Sequence, residues 1–184
     1  MTRFVVFGTV AAALTLFVWQ FVSNAALPWH EMTMREFQGP ESVVQAVRAA
    51  APQNGVYFAP QGILAAVSFA PDLHDKTKDM VPMMARQVVI NLLVAFILCL
   101  VVARRRAAGA MATGAMLGMI GLAAGALKEL SDANWYGFST SYALVNLIDC
   151  SIMFFIAGLV LGALARRLMP GAEAAAAEPV EVAA

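Results

Sequence analysis

From Phe4 to Val22 the chain runs for 19 residues without a charged side chain, and no other feature restricts the fold so sharply. At 1.5 Å per residue such a run makes a helix about 28 Å long, close to the roughly 30 Å hydrocarbon core of a bilayer. Three further runs repeat the pattern. Gln87 to Ala103 is closed by Arg104-Arg105-Arg106, Ala107 to about Leu127 by Lys128 and Glu129, and the last begins near Ser139 or Tyr142 and stops before Arg166-Arg167. Composition agrees. Of 184 residues 61% are hydrophobic and 13% charged, against about 25% charged in a soluble domain. The expected class is an all-α membrane protein with four transmembrane helices, its first partner the lipid bilayer.

A secretory signal competes for the first run, because Arg3 precedes it and Ser23-Asn24-Ala25 loosely resembles a cleavage site. Signal cores run to about 7–15 apolar residues, so the greater length favours an uncleaved helix. Lys and Arg gather on the cytoplasmic side of membrane proteins. Four spans put Arg3, the triple arginine and Arg166-Arg167 on that one side, with both termini. Trp19, Trp29, Trp135 and Tyr136 then fall near the opposite boundary, where amphipathic rings are favoured. The expected location is a bacterial inner membrane.

Between the first two spans lies a polar insert. Gly39-Pro40 breaks the chain, and Glu41 to Ala51 reads as a short amphipathic helix with Val43, Val44 and Val47 on one face. Val56 to Ala59 and Ala66 to Phe69 read as strands of a hairpin around Pro60-Gln61-Gly62. The chain thus divides into a first helix over 1–26, a small α+β extracytoplasmic insert over 27–86, helices two to four over 87–169 and a disordered cytoplasmic tail over 170–184. An insert of this size has little core of its own and is expected to lean on the membrane helices or on a protein partner.

Leu27-Pro28-Trp29-His30-Glu31, Ala51-Pro52-Gln53-Asn54-Gly55-Val56-Tyr57 and Asn134-Trp135-Tyr136-Gly137-Phe138-Ser139-Thr140 resemble an uncharacterised family of small four-span bacterial inner-membrane proteins. The resemblance covers most of the chain except the tail. It implies four spans and carries no activity, cofactor or catalytic residue.

Asp149 is the anomaly among the apolar runs, with Asn146 one turn before it. Asp149 precedes Arg166 by 17 residues and Arg86 precedes Arg104 by 18, which puts the two about 25 and 27 Å above the same interface. An ionised group deep in a bilayer costs about 2.5–3.5 kcal/mol, less near the boundary. Matched depth makes Arg86 the expected partner of Asp149. Asn91 and Asn146 complete the expected structural polar cluster, and a proton or ion site is the alternative role for Asp149.

In the third span Ala110, Gly114, Gly118, Gly121 and Gly125 make a nearly continuous small face, and Gly158 and Gly162 repeat it in the fourth. Such faces let helix backbones approach closely. Packing within the chain is the expected use, and a homo-oligomer seam the alternative. Met111, Met116 and Met119 read as gap-fillers.

Chemistry-bearing residues are sparse. His30, Met32 and Met34 follow the first span while Met83 and Met84 precede the second, and thioethers with imidazole suit Cu(I). Copper is therefore the one cofactor considered, on loose spacing. Only two histidines occur and neither stands in a nucleophile pattern. Cys99 and Cys150 lie at different depths, about 7 and 24 Å above the interface, so they do not form one disulfide. Zero net charge gives no basis for nucleic-acid binding. The expectation is a non-enzymatic inner-membrane protein, an accessory or interaction subunit. The alternative is a small transporter or an extracytoplasmic copper-handling protein.

Overall fold

The computed structural model describes residues 1–60, 62–67, 76–105 and 109–169, with the backbone alone at 76–80. The expected tail and the end of the second strand, at Ser68 and Phe69, lie outside the described residues. The chain forms two compact units, one made of Met1–Thr33 with the chain from Met84 onward, the other of Met34–Met83. The division falls inside the expected 27–86 insert and assigns Leu27 to Thr33 to the first unit.

The first unit is helical. Helix α1 (Thr2–Phe21) passes without a break into a wider π turn, Val22–Ala26. The second unit holds α2 (Pro40–Ala50) and strands β1 (Gly55–Ala59) and β2 (Ile63–Val67). Helix α3 (Lys76–Arg104) begins in the second unit and ends in the first. Then come α4 (Ala110–Gly125), a second π turn at Ala126–Leu130, α5 (Ser131–Tyr136) and α6 (Thr140–Leu168). Among the described residues four stretches are long and apolar enough to cross a membrane: Thr2–Ala26, Val81–Arg104, Ala110–Tyr136 and Thr140–Leu168. Each contains the greater part of one expected run. The third extends farther than expected, because Lys128, Glu129 and Asp132 sit on turns that simply continue the helix.

Sequence explains the ends. Ser139 is extended and its hydroxyl accepts from the Tyr142 backbone N–H, capping α6. Pro40 opens α2, where a missing N–H costs nothing. Pro82 lies inside α3, where the same missing N–H removes one helical bond. In the hairpin the chain turns tightly at Gly62 (φ +98), with the Gly62 N–H donating to the Ala59 carbonyl. The second strand therefore restarts at Ile63, three residues earlier than expected. Pairing is antiparallel, with Val56 opposite Ala66, Tyr57 opposite Ala65 and Phe58 opposite Leu64.

The core of the first unit is apolar and fine-grained, built from Phe4, Ala12, Leu16, Ala95, Cys99, Leu117, Ala157 and Leu161 among others. Its tightest join is α4 against α6. A methyl added at Gly158 would stand 2.7 Å from the Gly114 Cα, and one at Gly121 would stand 2.7 Å from the Cys150 carbonyl oxygen. Ser151 Oγ donates across the same join to the Gly118 carbonyl at 3.0 Å. The small-residue faces of the third and fourth apolar helices are thus turned on each other. Gly8 of α1 sits where α3 and α6 meet, against Cys99 and Leu161.

Candidate functional site: a carboxylate clamp at one end of the helices

Trp19 and Ser23 are four residues apart, so α1 and its π turn present them on one face. The chain then reverses. The Met32 N–H donates to the Pro28 carbonyl at 3.0 Å, and Thr33 donates to the His30 carbonyl through both its backbone N–H (3.1 Å) and its hydroxyl (2.7 Å). This compact turn folds His30 back beside Ser23, and α6 supplies Asp149.

The contacts form one closed set. Trp19 Nε1 donates to Asp149 Oδ1 at 2.7 Å, and Ser23 Oγ donates to the same oxygen at 2.8 Å. Because the single Ser23 proton goes to Asp149, Ser23 Oγ must accept from its other neighbours. These are His30 Nε2 and Trp29 Nε1, each at 3.1 Å. His30 therefore carries its proton on Nε2, which also stands 3.5 Å from Asp149 Oδ2. Trp29 Nε1 reaches the Ser23 carbonyl as well, and the Trp29 ring meets His30 edge-on with centroids 5.6 Å apart. Ser23 is fully buried and His30 is 7% exposed. Donors from three residues converge on one carboxylate.

The expected partner of Asp149 is corrected by this geometry. Arg86 is exposed and does not pair with Asp149; Trp19, Ser23 and His30 take that place. Matched depth fixes height along a helix but says nothing of direction around it, and α1 carries the donors that face α6. Asn91 and Asn146 do not join Asp149 either. Asn146 Nδ2 donates to the Tyr142 carbonyl in its own helix at 2.8 Å. Asn91 is 2% exposed and belongs to a separate amide triad. Its Nδ2 donates to Gln20 Oε1 at 2.9 Å, its Oδ1 accepts from Gln87 Nε2 at 3.0 Å, and Gln87 also reaches Gln20 at 3.2 Å. Of the expected cluster, Asp149 and Asn91 fall in separate groups, and Arg86 and Asn146 join neither.

Ser, His and Asp together invite comparison with a nucleophile relay, and the wiring differs. In a relay the imidazole uses one nitrogen for the serine and the other for the acid. Here one nitrogen, Nε2, faces both, and the serine proton points at the carboxylate.

Met32 is 81% exposed while His30 is buried in the clamp. Met84 of the first unit and Met34 and Met83 of the second are all exposed. Among the described residues no three His, Cys, Asp or Glu side chains are grouped to hold a metal ion. Cys99 and Cys150 are both free thiols.

Residue spacing held the missed signal. Trp19 with Ser23, and Gln87 with Asn91, are i, i+4 polar pairs in otherwise apolar helices, and each pair marks a face that seeks a polar partner. No family model, no curated protein and no solved structure matches the chain.

Proposed function

We infer that this chain is a four-span integral membrane protein of a bacterial inner membrane, with both termini cytoplasmic. It acts without catalysis, as an accessory or interaction subunit that presents its second unit outside the cytoplasm. One observation carries the reading. The second unit leaves Phe37, Val56, Phe58 and Ile63 between 64% and 74% exposed, and among its described residues it buries only Ala51 among apolar side chains. Apolar side chains that their own unit does not cover are the mark of a contact surface. The clamp supports the same reading from the other side, because the acid inside the helices spends its oxygens on structure.

Affinity purification of the full chain from native membranes in mild detergent tests this. A stoichiometric second protein should co-purify, and should be lost when residues 37–67 are replaced by a Gly/Ser linker. Retention of that partner by the linker variant would overturn the reading, as would purification with no partner at all.

A further inference from the structure

The ribbon of β1 and β2 is unusual in having no polar face. Its ten residues, Gly55–Ala59 and Ile63–Val67, carry no charge, and Arg48 is the one charged residue between Ser42 and Pro71. Register puts Val56, Phe58, Leu64 and Ala66 on one side, where Val56 is 74% and Phe58 71% exposed. Natural sheets guard open edges with Lys, Pro, inward charges or bulges. Within its five residues β1 has none of these, and Tyr57 is tied down by its own loop, its hydroxyl donating to the Gln53 carbonyl at 2.6 Å.

We propose that β1 is the edge through which two copies of this chain associate, the two β1 strands running antiparallel about Tyr57 to extend the ribbon across both copies. A five-residue strand has one fully matched antiparallel self-register, the one centred on its third residue. That register sets Tyr57 opposite Tyr57 and, twice, Phe58 opposite Val56. Aromatic–aromatic and aromatic–β-branched pairs are the cross-strand combinations that stabilise sheets. The same operation on β2 would give Ala65 on Ala65, Leu64 on Ala66 and Ile63 on Val67, with no aromatic pair. A twofold contact places every residue near its own copy, so any charge on the edge would meet its like; this edge has none. Two copies threaded alike through one membrane also present their ribbons on one side of it, where a twofold axis along the membrane normal can relate them. The pairing rests on the membrane-spanning reading for that last step alone.

Oxidative cross-linking of the full-length chain in membranes tests the register. Directly opposed residues of antiparallel strands have Cα atoms about 4.5–5.5 Å apart, within disulfide range, so Tyr57→Cys should give about tenfold more linked dimer than Ala65→Cys or the chain without an added cysteine. Tyr57→Lys should be monomeric by single-molecule photobleaching, and mixing it with Tyr57→Asp should restore dimers. Equal cross-linking at positions 57 and 65 would overturn the pairing, as would a Tyr57→Lys chain that remains dimeric. An adduct of Tyr57→Cys with a different protein would assign the edge elsewhere and overturn it too. Alkaline extraction of the same membranes reads the spanning separately. A chain that washes off sinks both readings, and one that stays in the membrane without cross-links sinks the pairing alone.

Discussion

Helix α6 is held on two sides by opposite devices. Against α4 it succeeds by close approach, with Gly158 and Gly162 laid on Gly114 and Ala110, and Phe154, Phe155 and Leu159 set against Gly121, Gly118 and Gly114. Against α1 it succeeds by polarity, with one carboxylate gathering Trp19, Ser23 and His30. In a bilayer, apolar helices would gain nothing from burying more hydrocarbon, so close backbone approach and buried hydrogen bonds would be what remain to specify a partner. The seam is tolerant along its length and intolerant of bulk. The clamp is a point contact that fixes rotation, because Trp19 and Ser23 lie on one face of α1 and its π turn.

The sharpest way to break the comparison is bulk in the seam. Gly158→Leu drives a side chain into the Gly114 backbone, and should cost about 3 kcal/mol or more, near the top of the range for overpacking. Loss of a cooperative melt in detergent would report it, whereas the same change at Gly109, where an added Cβ meets nothing within 4 Å, should be silent. Next in size is the clamp. Asp149→Ala strands the Trp19 and Ser23 donors, and a stranded buried donor costs about 1–3 kcal/mol. Thermal melting should fall by several degrees for Asp149→Ala and less for Asp149→Asn, whose amide oxygen can still accept from Trp19 and Ser23.

A smaller effect is expected from the amide triad. Asn91→Leu removes two neutral hydrogen bonds, and interhelical bonds of this kind average about 0.6 kcal/mol. A melt lowered by only a degree or two would agree, and a collapse equal to that of Asp149→Ala would mean that the two clusters act as one. The smallest effect belongs to Arg86→Gln. An exposed side chain away from special features changes stability by about 0.5 kcal/mol at most, so the melt should not move.

What the sequence made legible follows the same split. Charge-free runs marked all four apolar helices, since length and lack of charge are properties of a single segment. The small faces of α4 and α6 were legible as well, because glycine spacing shows which side a helix can bring close. Asp149 was legible as a group needing a partner. Its partner was not, because height along a helix is written in sequence spacing while rotation about it is set by packing. His30 lay further out of reach, since it arrives through a turn built on Pro28 and Thr33 after the helix has ended. The hairpin shows the same limit on a smaller scale. Its turn was legible in Pro60 and Gly62, but the point where pairing resumes depended on a positive φ at Gly62.

The most direct test of the clamp is a pair of double-mutant cycles on melting free energy, one joining His30→Gln with Asp149→Asn and one joining Arg86→Gln with Asp149→Asn. Contacting residues show coupling of about 0.5–3 kcal/mol, while independent sites add to within about 0.3–0.5 kcal/mol. The clamp predicts coupling in the His30 cycle and additivity in the Arg86 cycle. Additivity for His30 together with coupling for Arg86 would contradict it and restore the arginine as the partner of Asp149.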